Sequence, residues 1–197
     1  FKPKIIMAYV LFISEDKLKD STAINMNVDV EFLLPYVKIA QKKYVETKLG
    51  TNLFVAIQGM ISGGTIGNVA NANYKTLLDD YVADMLVHYA FYEVLPFLRY
   101  KVQNNNVVSK TSENSNPLSR TEAQDLRSEI SNTAQFYTER LVDYLCNNSS
   151  LFPEYSTNTG ADVNPDSNAY YQGMNLERPN KQGNKLTIRD FLDTTYN

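Results

Sequence analysis

Residues 73–101 read NYKTLLDDYVADMLVHYAFYEVLPFLRYK, and this stretch decides the fold. Tyr74, Leu77, Leu78, Tyr81, Val82, Met85, Leu86, Tyr89 and Tyr92 recur at three- and four-residue steps, which is one wide apolar helix face. From Phe91 to Leu98 almost every position is apolar, so this end is expected to be deeply buried or packed on other subunits. Pro96 lacks an N–H and predicts a kink or break near Tyr92. At ~1.5 Å per residue the helix would reach about 43 Å, long for a small domain.

Downstream, 101–118 is polar, with Asn104, Asn105, Asn106 and Pro117. Ser119-Arg120-Thr121-Glu122 then has the form of a capping box, with Leu118 as a staple residue. It opens a helix running to about Asn147, with Leu126, Ile130, Phe136, Tyr137, Leu141, Tyr144 and Leu145 expected inward. Two long helices joined by such a loop predict an antiparallel pair. Upstream, Tyr9–Ile13 reads as a short extended segment, and Ser14 caps one or two helical turns. Asp29 is an N-cap for a helix over 30–49, with Pro35 in its opening turns and Gly50 at its end. A short apolar piece, Leu53–Ile57, leads into a loop carrying Gly59, Gly63, Gly64 and Gly67.

The 21 asparagines concentrate between these periodic stretches, where a short amide satisfies loop backbone. After Ser149 the chain becomes rich in Asn and Pro but keeps aromatics, and only Leu186–Leu192 looks regular. Such a segment is too polar for a core and too aromatic for a solvated linker, so it should order by lying on a surface. The expected fold is mainly α. It consists of an antiparallel long-helix bundle with a short N-terminal extended segment and a largely irregular C-terminal tail. Residues 1–150 form the helical core and 151–197 an extended arm.

Chemistry is thinly represented. One cysteine, Cys146, excludes a disulfide framework, and one histidine, His88, leaves too few ligands for a transition-metal site. Cys146 itself reads as a small buried hydrophobe. The net charge of −3 gives no electrostatic case for tight nucleic-acid binding, and Arg99, Lys101 and Lys110 alone are too few for one. No apolar run is long enough to span a membrane. Phe1–Ile13 lacks a small-residue cleavage site, so no signal peptide is expected. Met7-Ala8 reads as a natural start, with Phe1–Ile6 a leader or an addition. Ser14-Glu15-Asp16-Lys17 has the acyl-serine spacing without its companion motifs, and an N-cap explains it. Gly59–Gly67 has no lysine to make a phosphate loop. Asp79, Asp80 and Asp84 read as a solvated acidic face, and His88 as a satisfied core or interface histidine. No catalytic, cofactor or metal site is expected.

Ile13-Ser14-Glu15-Asp16, then Asn27-Val28-Asp29, Leu34-Pro35-Tyr36-Val37, Ala40-Gln41 and Leu49-Gly50 form an ordered series. This series resembles the N-terminal part of head-to-tail connector (adaptor) proteins of tailed bacteriophages. Leu95-Pro96-Phe97, Ser112-Glu113-Asn114-Ser115, Asn132-Thr133-Ala134-Gln135-Phe136-Tyr137 and Arg140-Leu141-Val142-Asp143-Tyr144-Leu145 are similar to a group from crAss-like gut phages. The resemblance covers roughly 9–150. It implies a non-enzymatic virion protein, assembled in the host cytoplasm, that forms a ring of about twelve copies in the neck. Its partners would be the portal and the next neck or tail ring. DNA would pass through without specific binding, and no membrane would be involved.

Under that expectation, Phe91, Tyr92, Leu95, Phe97, Leu98, Phe152, Tyr155, Tyr170, Tyr171 and Phe191 are candidate subunit or partner contacts. Glu122, Asp125 and Glu129 are candidate channel-facing charges, since a conduit should not grip DNA. A competing reading is a helical binding module, a phage accessory protein that captures a protein through the aromatic tail. A third is a hydrolase built on His88 and Asp84.

Overall fold

The computed structural model describes residues 9–24, 28–102, 107–109, 119–157 and 162–168. Tyr170, Tyr171, Phe191, the Leu186–Leu192 element, the Leu118 staple and the Phe1–Ala8 leader and start lie outside the described residues.

The molecule is mainly helical. Helix α1 (Glu15–Asp20) is capped by Ser14, whose Oγ accepts the Lys17 N–H at 3.2 Å. Helix α2 (Val30–Ala40) follows Asp29, which sits at the N-cap with extended backbone but makes no side-chain cap bond. A π turn over Gln41–Val45 leads directly into α3 (Glu46–Ser62). Leu53–Ile57 is therefore helical, and Gly59 belongs to α3 and not to the glycine loop. Helix α4 (Ala72–Leu77), a second π turn (Leu78–Val82) and α5 (Ala83–Arg99) form the expected long helix. It does not end near Tyr92: Pro96 falls in the last turn, where few intrahelical bonds remain to be lost.

Residues Tyr100–Val102 (β1) and Val107–Ser109 (β2) pair antiparallel, Lys101 opposite Val108. Helix α6 (Arg120–Asn147) opens with the capping box: Ser119 Oγ accepts the Glu122 N–H at 3.2 Å, and the Glu122 carboxylate accepts the Ser119 N–H at 2.8 Å. The pair α5–α6 is antiparallel, since its contacts run in opposite order: Tyr81 on Tyr144, His88 on Tyr137, Tyr92 on Arg127.

Helix α5 lies between α2 and α6 and packs on both. Its stripe supplies the centre of the core, with Leu77, Val82, Met85, Leu86, Ala90 and Val94 fully buried. From α6 the inward residues are Ile130, Ala134, Thr138, Leu141 and Leu145. Leu126 and Phe136, expected inward, are exposed, because small Ala134 and Thr138 take the positions closest to α5. Both π turns place a tyrosine flat on a tyrosine of the next helix: Tyr44 on Tyr89 (3.9 Å, 9°) and Tyr81 on Tyr144 (4.1 Å, 16°). Residues 9–13 are tied to the first π turn by buried Gln41. Its Nε2 donates to the Val10 carbonyl and its Oε1 accepts the Phe12 N–H, both at 2.9 Å.

The packed unit continues past residue 150. After a 3-10 turn (Ser149–Leu151), Phe152 is 0% exposed, against the Tyr74 and Tyr144 rings. Helix α7 (Pro153–Ser156) follows and packs on α3. Residues 162–168 then lie as a strap across the break in α3, where Gly50 has φ 75° and ψ 158°. The break leaves backbone groups without helical partners, and the strap supplies them. Thr51 N–H donates to the Val163 carbonyl (3.0 Å), Asp166 N–H donates to the Thr47 carbonyl (2.9 Å), and Val163 N–H donates to Thr51 Oγ1 (2.9 Å). Lys48, 0% exposed, donates to Asp166 Oδ2 at 2.7 Å and to the Asn168 carbonyl.

Candidate assembly surface

The expected contact residues separate into two groups. Phe91 and Phe152 are buried within this chain and have no face left for a partner. Tyr92, Leu95, Leu98 and Tyr155 are half-buried against the same core, with Tyr92 covered by the Arg127 guanidinium 4.1 Å above its ring. Phe97 remains outside, 43% exposed.

Phe97 is not isolated. Residues four apart on α2 put Phe32 and Tyr36 on one side, ring centroids 5.5 Å apart, and Tyr36 meets Phe97 at 5.0 Å. The result is an aromatic ladder across the α2–α5 seam, one end of which is open to water. Ile39 stands beside it on α2, 47% exposed, next to Lys38, whose ammonium lies 4.7 Å above the Tyr9 ring. The sequence reading named Phe97 but missed Phe32, Tyr36 and Ile39. Their four-residue spacing from each other and from Pro35 was the available signal.

On the opposite flank, Glu122, Asp125 and Glu129 are all exposed on α6, as is Phe136 at 56%. Glu122 has a local task. Its bond from the Ser119 backbone, and then the Ser119 side chain, hold its carboxyl below the usual carboxylate range.

Titratable groups elsewhere serve packing. Burial, then the bond to Glu93, pushes the Tyr44 hydroxyl far above its ordinary pKa; it donates to Glu93 Oε1 at 2.6 Å. Burial pushes Glu93 up, but the hydrogen bonds from Lys43 (2.8 Å) and Tyr44 outweigh it, and the net direction is down. Tyr74 is pushed up to about 12 by burial and by its bond to Glu154 (2.8 Å). His88 stacks on Tyr137 (5.1 Å, 10°), and burial lowers its pKa against the opposing pull of Asp84. It borders an open cleft of about 450 Å³, together with Asp20, Thr22, Phe91, Glu129 and Thr133. No Ser or Cys that borders this cleft is paired with His88 through a printed hydrogen bond.

Within the acidic face, Lys75 pairs with Asp79, and Lys17 approaches Asp84 at 4.0 Å. Cys146, expected buried, is exposed, because the inward position at the end of α6 belongs to Leu145. Arg99 and Lys101 stand at the α5–β1 junction, and Lys110 lies outside the described residues. Among the described residues no group of three or more His, Cys, Asp or Glu could hold a metal ion, and no helix is long and apolar enough to cross a membrane.

Comparison with known proteins gives a family and no function. No curated protein matches the chain, and no solved structure does. A model for a family of unknown function, DUF6712, matches residues 45–165, from the first π turn to the strap proline. That is more than half of the chain, which belongs to this family.

Proposed function

We propose that this DUF6712 member is a structural virion protein that forms a ring in the phage neck, between portal and tail. It extends the DNA channel and docks the next neck or tail component. The observation that carries this reading is the aromatic ladder Phe32–Tyr36–Phe97, left partly open on a chain whose ionisable side chains are spent on its own packing. An open apolar face on a well-packed monomer marks a contact surface. The ordered motif series over 9–150 supports the connector assignment in particular, and a net charge of −3 suits a conduit that lets DNA slide. The binding-module alternative relied on tail aromatics, two of which, Phe152 and Tyr155, are taken up in the chain's own fold.

Native mass spectrometry of the chain, alone and with a matching portal, tests the proposal. A ring of about a dozen copies, free or templated by the portal, is the expected result. A monomer in both samples overturns it.

A further inference from the structure

Because α5 lies between α2 and α6, the outer surfaces of those two helices face away from each other on opposite flanks. Both are unusual in the same way: each carries a large exposed apolar side chain within a run of one charge sign. On α6, positions 122, 125, 129, 132, 136, 140 and 143 recur at three- and four-residue steps and are all exposed, so they form a single stripe. It bears Glu122, Asp125, Glu129 and Asp143 against Arg140 alone, with Phe136 in the middle. On the other flank, Pro35, Lys38, Ile39 and Lys42 share the outer face of α2 and its π turn, beside Phe97. Lys42 pairs with Glu46 within the chain, yet its side chain is more than half exposed, while Glu46 is buried beneath it. The α2 flank thus presents ammonium groups around an apolar centre, and the α6 flank presents carboxylates around one.

Resting on the ring reading above, we propose that the acidic α6 stripe of one copy seats on the basic, apolar α2 face of the next. Phe136 docks against Ile39 and Phe97, and Asp125 and Glu129 face Lys38 and Lys42. The charge signs favour this pairing and oppose α6 against α6. Two different faces on opposite flanks make the contact heterologous, so it repeats from copy to copy and closes into a ring. Asp125 and Glu129 then lie in the seam between copies and not on the channel wall.

The test uses two full-length variants, Ile39→Asp and Phe136→Asp, each changing one exposed side chain, with circular dichroism to confirm folding. In native mass spectrometry each variant alone loses oligomer by at least ~10-fold relative to wild type. Mixed, they form a heterodimer and stop there, since each supplies the one face the other lacks. Either variant assembling like wild type overturns the interface and leaves the ring reading standing, as does each variant forming its own homodimer. A wild-type chain that stays monomeric with and without portal overturns both. Independently of any variant, zero-length carbodiimide coupling of mixed light and heavy wild-type chains should join Asp125 or Glu129 to Lys38 or Lys42 between copies. Assembled chains without such a link overturn the pairing.

Discussion

Replacing Gly50 by alanine tests how the strap and the helix break depend on each other. At φ 75° and ψ 158°, Gly50 occupies a region that side-chain-bearing residues avoid, at a strain of about 1–3 kcal/mol. A Cβ there would lie 2.6 Å from Pro165 Cγ and 2.7 Å from Cδ, where carbon atoms rest about 3.5–4.0 Å apart. Pro165 must therefore withdraw by roughly 1 Å. That movement weakens the bonds from Thr51 N–H to Val163 and from Asp166 N–H to Thr47, each worth about 0.5–1.5 kcal/mol. The sum is a loss of ~2–5 kcal/mol, read from urea unfolding, together with faster amide exchange at Thr51 and Asp166. Pro165→Ala removes Cγ and Cδ, so the double variant should be less damaged than the two single losses added together, by ~1 kcal/mol or more. A Gly50→Ala protein within ~0.5 kcal/mol of wild type, or strict additivity with Pro165→Ala, would falsify this account.

The buried Lys48 gives an asymmetric prediction. Asp166→Ala strands an ammonium that is 0% exposed and should cost up to ~3 kcal/mol, the low end for breaking a buried pair because Asp166 is itself 43% exposed. Lys48→Met should cost clearly less, since it leaves only a carboxylate that water can reach; equal losses in urea melts would contradict this. Glu93 sets a pH dependence. Its folded pKa lies below the unfolded value of about 4.3, so its contribution is present above that value and disappears as pH falls through the folded pKa. The stability gap between wild type and Glu93→Gln should be widest near neutrality and shrink below about pH 4.5. A gap that stays constant from pH 7 to 3 would remove the carboxylate from the account.

The long helix was legible because Leu77, Leu86 and their neighbours keep a clean period, and the Ser119–Glu122 box because a cap is a local pattern. Helix α6 was only half legible. Its contact line passes through Ala134 and Thr138, residues that hydropathy undervalues, while Phe136 attracted the inward assignment and in fact faces water. The strap was illegible for another reason. Lys48 and Asp166 are more than a hundred residues apart, and nothing local marks Lys48 as buried or Pro165 as the neighbour of Gly50. Gly50 itself was found, but as a helix end and not as the place where a distant segment enters. Of the candidate surface, the sequence offered Phe97 and the α6 acids. The ladder needed α2 and α5 side by side.

The two π turns bear on how such a chain can change over evolutionary time. Each accommodates an extra residue within an otherwise continuous helix, and each delivers a tyrosine onto its stacking partner. Deleting one residue from 41–45 or 78–82 would restore regular winding but turn everything beyond it by about 100°. The first deletion would swing Lys48 and Gly50 away from the strap. The second would carry the whole buried stripe of α5 off its neighbours. Length changes in this family should therefore be excluded from these helices, or appear at the π turns only with compensation in the same helix. Where relatives are aligned, an uncompensated gap at either site would mark a chain that packs its core differently.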